Sequence, residues 1–288
     1  MKVIYDVLDP TGNITILVRT PVPEADQPDV AAHLMELEPE TEQVGFLSSE
    51  RKSSQNKDKA SDSDCDIYLR MAGGEFCGNA SMCAAVIAAM ESEQSSRKVN
   101  LRVSGASGIV RAEVARRPDG DWTGTVDMPK PASIEEVSLP EAGTVPIVRF
   151  EGISHVILLQ QIPRDKAPAL ALVWCKALEA DAVGLLFLDQ EKSTMTPLVY
   201  VPAAQTLCWE KSCASGTTAV CAWLAALKAA PHIPSLDRSA SNEHAPCSIC
   251  LFQPGGELQA DADKDGAIRL TGRVKLLKRA ETEIPVVT

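Results

Sequence analysis

Apolar and polar residues alternate along several stretches of the chain, and this pattern predicts β-strands. Residues 1–8 and 13–19 form one such pair, and the Asp-Pro-Thr-Gly segment at 9–12 supplies the turn of a hairpin. Further strand-like runs are predicted at residues 66–70, 99–103, 109–115, 122–128 and 198–201. The chain is therefore expected to be rich in strands.

One segment near the N-terminus has helical spacing instead. Residues 26–38 place Val30, Leu34 and Leu37 on one face, which predicts an amphipathic helix. The segment at 48–64 is polar and charged and has no period, so we expect a solvated loop there.

Two cysteines each stand between a strand-like run and a helix of small residues. Cys77 lies in the segment GGEFCGNA, ahead of the helix predicted at 80–90, and Cys213 lies in EKSCASGT, ahead of the helix predicted at 217–229. The dipole and the free amide groups of a helix N-terminus favour the thiolate form of such a thiol. Two of them indicate chemistry that needs a base on one side of a carbon and an acid on the other, which is racemisation or epimerisation.

The two halves of the sequence resemble copies of one domain. Besides the two cysteine motifs, the turn at 118–121 has a counterpart at 264–266. A repeat of this length indicates a duplicated domain and not a solenoid. We expect one domain at residues 1–130, joined by a returning strand at 273–288, and a second domain at 140–272. Two copies that face each other would bring the two helix N-termini to one cleft.

The composition limits the possible classes of function. The chain carries a net charge of −11, which argues against a nucleic-acid partner and against an anionic membrane surface. No apolar run is long enough for a transmembrane helix, and the first residues lack the apolar core of a signal peptide. We therefore expect a cytoplasmic protein, in which the nine cysteines are reduced thiols.

With these motifs the chain resembles the superfamily of cofactor-independent diaminopimelate epimerases and proline racemases. It is most similar to the histidine racemases that begin the biosynthesis of staphylopine-type metallophores. The resemblance runs nearly end to end and includes GNITILV at 12–18, EQVGF at 42–46, the Cys77 block, YVP at 200–202 and WEKSC at 209–213. It implies an α/β (α+β) fold of two pseudo-symmetric domains, each a curved sheet around a central helix, with the active site in the cleft between them.

The resemblance also implies a set of functional residues. Cys77 and Cys213 would be the catalytic thiol pair, one starting each turnover as thiolate. His155 and Glu210 match positions beside the cysteines that help to place or move their protons, and Asn13 matches a substrate-binding position. The backbone amides that would hold the substrate carboxylate belong to Gly78, Asn79, Ala214 and Ser215. The family needs no cofactor and no metal, and its partner is a small amino-acid substrate.

The choice of substrate rests on departures from the diaminopimelate epimerases. Those enzymes carry Glu-Arg-Gly before the second cysteine, whereas here Lys211 follows Glu210. A distal carboxylate loses its bidentate partner without that arginine. We therefore expect interconversion of L- and D-histidine, for metallophore biosynthesis. A diaminopimelate epimerase, a racemase of another amino acid and a non-catalytic amino-acid-binding protein stay open as alternatives, and so does a homodimer as the assembly.

Each candidate residue also has a plainer explanation. Cys77 and Cys213 can be ordinary buried thiols, and His155 can be a satisfied core histidine. Glu210 can be a solvated loop carboxylate, and Asn13 can be a plain turn residue. Cys83 and Cys221 fall inside the two predicted helices and are expected in the core. The lone C-x-x-C at 247–250 lacks the second ligand pair that a zinc site requires.

Overall fold

The computed structural model describes residues 1–48, 65–160, 162–229 and 245–284. The loop predicted at 48–64 therefore lies, from residue 49 onward, outside the described residues, as does the end of the returning strand at 285–288. The chain divides into two compact units. Unit 1 comprises Met1–Asp127 and Thr271–Thr288, and unit 2 comprises Met128–Leu270.

The described residues form sixteen strands and four α-helices. The strands are β1 (Lys2–Pro10), β2 (Thr15–Val18), β3 (Gln43–Ser48), β4 (Ile67–Met71), β5 (Ser96–Val103), β6 (Ile109–Arg116), β7 (Trp122–Met128), β8 (Ser133–Leu139), β9 (Gly143–Phe150), β10 (Ile153–Leu158), β11 (Val183–Asp189), β12 (Thr194–Val201), β13 (Thr206–Trp209), β14 (Cys247–Gln253), β15 (Gly256–Ala262) and β16 (Ile268–Glu283). The helices are α1 (Gln27–Leu37), α2 (Gly78–Glu91), α3 (Ala167–Ala177) and α4 (Ala214–Ala229).

The strands of unit 1 close into a barrel. They follow the order β1-β2-β3-β4-β5-β6-β7-β16, and β16 also pairs with β1. That last pairing is antiparallel and runs from Lys2 opposite Glu283 to Pro10 opposite Val274. A closed sheet leaves no exposed edge. The hairpin predicted at the N-terminus is confirmed as the antiparallel pair β1–β2.

Helix α2 packs against strands β1 to β6 of this barrel. Every residue of α2 from Gly78 to Ala89 is buried, as is typical of a helix that is apolar or small on all sides. Strand β7 approaches α2 closely at Gly124, because a β-carbon added there would lie 3.0 Å from the β-carbon of Met82. The small side chains that predicted this helix thus allow strands to surround it.

Helix α1 packs a second apolar cluster with β1, β2 and β3. Val30, Ala31 and Leu34 are buried in this cluster. The assignment of Leu37 to the buried face is wrong, because its side chain is 47% exposed. The helix ends at this residue, so no further turn holds Leu37 against the sheet.

Unit 2 has the strand order β8-β9-β10-β11-β12-β14-β15, with β13 paired to β12. Residues 133–139, which the sequence-based division leaves between the two domains, form β8 and pair with β9. Strands β10 and β11 are parallel, and α3 connects them. Trp174 anchors α3, since it is fully buried and its Nε1 donates to the Pro140 carbonyl at 3.1 Å.

Helix α4 occupies a buried position in unit 2, as α2 does in unit 1. It contacts β9, β10, β14 and β15. Within the described residues, no helix is long and apolar enough to cross a membrane.

Candidate active site

Cys77 is the N-cap residue of α2. Its backbone is extended, with φ −132° and ψ 114°, and its Sγ accepts a hydrogen bond from the Ala80 amide at 3.3 Å. The Cys77 carbonyl accepts from the amide of Ser81 at 3.0 Å and from its hydroxyl at 2.7 Å. These bonds fix the sulfur at the helix end where free amide groups and the positive end of the dipole meet.

The turn ahead of Cys77 is held by the loop after β5. The hydroxyl of Ser104 donates to the Glu75 carbonyl at 2.8 Å and accepts from the Met71 amide at 2.9 Å. The adjacent Gly105 has φ +71°, and a β-carbon there would lie 2.3 Å from the Phe76 nitrogen. Only glycine fits this close approach, which keeps the cysteine loop in place.

Gln43 is a hydrogen-bond partner of the Cys77 thiol. The thiol donates to Oε1 of Gln43, and the distance between Sγ and Oε1 is 2.6 Å. Gln43 is the first residue of β3, where it is paired with Thr15 of β2. The family resemblance includes the segment at 42–46, but it did not predict the contact between Gln43 and Cys77. This contact joins residues 34 positions apart, so local sequence patterns do not reveal it.

Asn13 and Asn79, like Gln27 on α1, have buried side-chain oxygen atoms that accept no hydrogen bond from any described residue. Asn13 is 1% exposed, and its Nδ2 donates to Oε2 of Glu42 at 2.6 Å. Its Oδ1 makes no hydrogen bond to any described residue, and the same holds for Oδ1 of Asn79, which is 2% exposed. Buried polar atoms are normally satisfied, so both oxygens are acceptors available to the N–H groups of a ligand.

Cys213 has the same relation to α4 as Cys77 has to α2. Its Sγ accepts from the amide of Gly216 at 3.3 Å. Its carbonyl accepts from the amide of Thr217 at 3.0 Å and from the hydroxyl of that residue at 2.8 Å. Ala214 and Ser215 are accordingly the first residues of the helix, as Gly78 and Asn79 are in unit 1.

Gln253 holds the backbone of this second cysteine. Its Oε1 accepts from the Cys213 amide at 2.8 Å, and its Nε2 donates to Oγ1 of Thr217 at 2.9 Å. One side chain thus bridges the residue before the helix and the first turn. No sequence pattern predicts this role, because Gln253 lies on β14, 40 residues after Cys213.

A line of polar contacts joins Cys213 to His155 through Ser215. The Ser215 hydroxyl lies 3.5 Å from Sγ of Cys213 and 3.0 Å from Nε2 of His155. A hydroxyl both donates and accepts, so Ser215 can bridge the thiol and the imidazole in either direction. The structure therefore brings three of the predicted residues together in unit 2.

His155 is a buried and neutral histidine. It is completely buried on β10, and burial lowers its pKa from 6.5 to about 3. The Gly184 backbone lies beside Nδ1 and partly opposes this shift, without a hydrogen bond of normal geometry. At neutral pH the ring is therefore uncharged, and it can place a proton near Ser215 but does not carry a permanent charge.

The Cys213 thiol is strongly held in its protonated form. Burial raises its pKa well above the ordinary value, and the Glu210 carboxylate beside it adds to the rise, while the Ser215 hydroxyl opposes it. A carboxylate in contact with a thiol can receive its proton as a substrate approaches. Glu210 thus lies next to Cys213, at the position that the family resemblance implied.

The remaining cysteines have plainer surroundings. Cys83 and Cys221 are fully buried, which confirms their assignment to the core. Cys247 is buried whereas Cys250 is exposed, because residues three apart on a strand point to opposite faces. Within the described ranges, no group of three or more His, Cys, Asp or Glu side chains is arranged to hold a metal ion.

Comparison with known proteins places these features in a family. A sequence model described as the histidine racemase CntK N-terminal domain matches residues 2–278. A histidine racemase of Fusobacterium nucleatum subsp. nucleatum is 31% identical over 290 aligned positions, which cover 96% of this chain and 95% of that protein. A histidine racemase of Staphylococcus aureus is 27% identical over 226 positions, covering 75% and 77% of the two chains.

A solved structure shows the same fold at low sequence identity. The probable proline racemase from Agrobacterium radiobacter K84, with bound carbonate, aligns with a TM-score of 0.64 and 15% identity. The alignment covers 99% of this chain and 93% of that one. The mixed α+β architecture is thus shared with isomerases of this kind.

Proposed function

The chain belongs to the histidine racemase family, and we propose that it interconverts L- and D-histidine with Cys77 and Cys213 as its two acid–base groups. One observation carries the mechanism. Each thiol stands at the N-terminus of a buried helix and accepts a hydrogen bond from a first-turn amide, at 3.3 Å in both cases. A racemase must remove the α-proton from one face and return a proton to the other, which takes two such groups.

The helix N-termini also supply the stabilisation that the carbanion needs. An amino-acid α-proton is weakly acidic, so negative charge that spreads into the substrate carboxylate must meet preorganised donors. The amides of Gly78, Asn79, Ala214 and Ser215 belong to the first turns of α2 and α4 and are the donors for this carboxylate. Their small side chains let the backbone approach the anion closely, and no cofactor is required.

Unit 2 contributes the groups that accept the proton of Cys213 and orient its sulfur. Glu210 receives this proton when the thiol must become thiolate, and the Ser215–His155 pair keeps the sulfur oriented. In unit 1, the unpartnered oxygens of Asn13 and Asn79 accept N–H groups of the bound amino acid. This assignment is supported by their burial, which would be costly if they stayed unpaired.

We propose that the two units are the two pseudo-symmetric domains of the diaminopimelate epimerase type. The matching hydrogen bonds around Cys77 and Cys213 support a duplication. On this proposal the domains correspond to residues 1–130 with 273–288, and to 140–272. We further propose a cytoplasmic enzyme, active as a homodimer, whose product serves metallophore synthesis.

The preference for histidine follows from the family and from Lys211. A distal carboxylate, as in diaminopimelate, would lack the guanidinium that pairs with it in two hydrogen bonds, and an unpaired buried charge is strongly disfavoured. The opposing candidates are diaminopimelate, a different amino acid, and simple binding without turnover.

The test is a comparison of kcat/KM for L-histidine, meso-diaminopimelate, lysine, arginine and proline, with the enantiomers separated by chiral chromatography. We expect L-histidine to give the highest value. A higher value for diaminopimelate would overturn the substrate assignment, and binding of histidine without formation of the D-enantiomer would overturn catalysis altogether.

A further inference from the structure

We propose that Gln43 is a positioning residue that serves both protonation states of Cys77 by rotating its side-chain amide. The inference rests on the proposed function, because only a two-sided racemase uses Cys77 as base for one enantiomer and as acid for the other. Gln43 would then present its oxygen to the thiol and its nitrogen to the thiolate.

The contact in the structure represents the thiol state. Oε1 of Gln43 can only accept a hydrogen bond, so at 2.6 Å from Sγ it requires the proton on sulfur. After Cys77 loses this proton, the same oxygen would face a negative sulfur. A half-turn of the amide replaces it with Nε2, whose N–H groups stabilise a thiolate.

The surroundings of Gln43 permit this rotation. Its backbone is fixed in the sheet, where the amide nitrogen donates to the Ile14 carbonyl at 3.3 Å and the residue is in register with Thr15. Its side chain is half-buried, and Nε2 makes no hydrogen bond to any residue in the described part of the chain. Among the described residues, the Cys77 thiol is thus the only group that holds the side-chain amide of Gln43, through its oxygen.

A glutamine suits this task because its side-chain amide carries no charge and does not titrate. It can therefore stabilise either form of Cys77, by accepting from the thiol or by donating to the thiolate. Ser215 has the same dual character beside Cys213, since a hydroxyl also donates or accepts. A neutral, reversible partner at each sulfur matches a reaction that runs equally in both directions.

Apart from the carboxylate that Gln43→Glu introduces, the substitutions proposed below leave the titratable groups near this pair unchanged. Cys83 on α2 interacts electrostatically with Cys77, and Asp9 on β1 acts on Cys83. Glu42 lies next to Gln43 and binds Asn13. A change in the Cys77 pKa caused by substitution of Gln43 therefore reports on Gln43.

The test combines turnover with the pKa of Cys77. The full-length Gln43→Leu and Gln43→Glu variants are compared with the wild-type protein, and Gln27→Leu serves as a matched control. Gln27 is a second glutamine of unit 1 whose side chain makes a hydrogen bond, to the Val22 carbonyl. The alkylation rate of Cys77 by iodoacetamide, followed as a function of pH by peptide mass spectrometry, gives the thiol pKa without any histidine turnover.

We expect kcat of Gln43→Leu to fall about 10-fold with KM within about 2-fold, because one hydrogen bond to the reacting sulfur is lost in both states. The Cys77 pKa should rise by less than about 1 unit, because both states lose a hydrogen bond and the bond to the charged thiolate is the stronger of the two. In Gln43→Glu the introduced carboxylate favours only the thiol, so the Cys77 pKa should rise by about 1 unit or more. Gln27→Leu should change neither quantity.

Three results would overturn the proposal. A fall in the Cys77 pKa of Gln43→Leu would make Gln43 a partner of the thiol alone, and a rise as large as that in Gln43→Glu would make it a partner of the thiolate alone. An unchanged kcat would leave it a structural residue. If the wild-type protein does not racemise histidine, the proposed function fails, whereas the alkylation data still decide what Gln43 does to Cys77.

Discussion

The imidazole of His155 lies directly against the backbone of Gly184, so closely that a β-carbon on Gly184 would be 2.3 Å from Nδ1. The two residues are in register on the parallel strands β10 and β11. Phe150 closes another side of the ring, with the two ring centroids 6.0 Å apart in an edge-to-face arrangement. The absence of a side chain at residue 184 therefore sets the position from which His155 reaches Ser215.

Substitution of Gly184 by alanine should displace His155. The added methyl group cannot fit without movement of the ring, and such overpacking costs roughly 1–3 kcal/mol of unfolding free energy. Racemisation should also slow, because the contact between Nε2 and Ser215 is disturbed. Gly108→Ala is the control, since a β-carbon there meets nothing within 4 Å. Equal stability and activity of the two variants would contradict this role of Gly184.

Stability should decline as the pH falls from 7.5 to 5, and His155 should cause much of the decline. Its folded-state pKa of about 3 lies below the unfolded value of 6.5, so its contribution is complete above pH 6.5 and is lost as the pH falls towards 3. At pH 5 the loss amounts to about 2 kcal/mol. Urea unfolding at both pH values should show a smaller loss in His155→Asn than in wild type. His33→Asn, on α1, is the control substitution, and an equal loss in all three proteins would refute the assignment.

The variant Glu210→Gln should lower the pKa of Cys213. The carboxylate raises this pKa by its charge and by its hydrogen bond, so its neutral analogue leaves the thiolate less disfavoured. Alkylation of Cys213 at pH 7 should become faster, while racemisation should slow by about 100-fold because the proton acceptor is lost. Glu151→Gln, at an exposed turn, should change neither rate. Slower alkylation in Glu210→Gln would contradict the electrostatic part of this account.

The variant Ser215→Ala should shift the same pKa in the opposite direction. The Ser215 hydroxyl lowers the pKa of Cys213, so its removal raises the pKa and slows alkylation at a given pH. It also breaks the link to His155, and kcat should fall about 10-fold. Ser138→Ala, which removes an exposed hydroxyl paired with Thr144, is the control. A lower Cys213 pKa in Ser215→Ala would show that the hydroxyl acts as an acceptor only.

The local elements could be predicted from the sequence where a strong pattern defines them. Strand β7 has the predicted bounds, and α2 and α4 begin two or three residues before the small-residue stretches that predicted them. Strand β8 was not predicted, because only three of its side chains are apolar and the segment follows two prolines. The alternation of apolar and polar residues is what predicts a strand, and this alternation is weak in β8.

The partners of the two cysteines could not be predicted in the same way. Gln43 and Gln253 contact their cysteines across 34 and 40 residues of chain, so only the paired strands bring them close. Gly184 has its role because it lies opposite His155 on the neighbouring strand. Gln253 and Gly184 carry no motif of their own, and the resemblance at 42–46 does not show that Gln43 contacts a cysteine. Cys77 and Cys213, in contrast, are marked by the helix that each of them precedes.

The most direct test of the two-cysteine mechanism is the early turnover of L-histidine in deuterium oxide. If one thiol removes the α-proton and the other returns a solvent-derived proton, the D-histidine formed first should carry deuterium at Cα, and the remaining L-histidine should not. Cys77→Ala and Cys213→Ala should each reduce racemisation by orders of magnitude while the protein stays folded. Protium retained in the D-histidine, or deuterium entering the remaining L-histidine as fast as racemisation occurs, would contradict two bases on opposite faces.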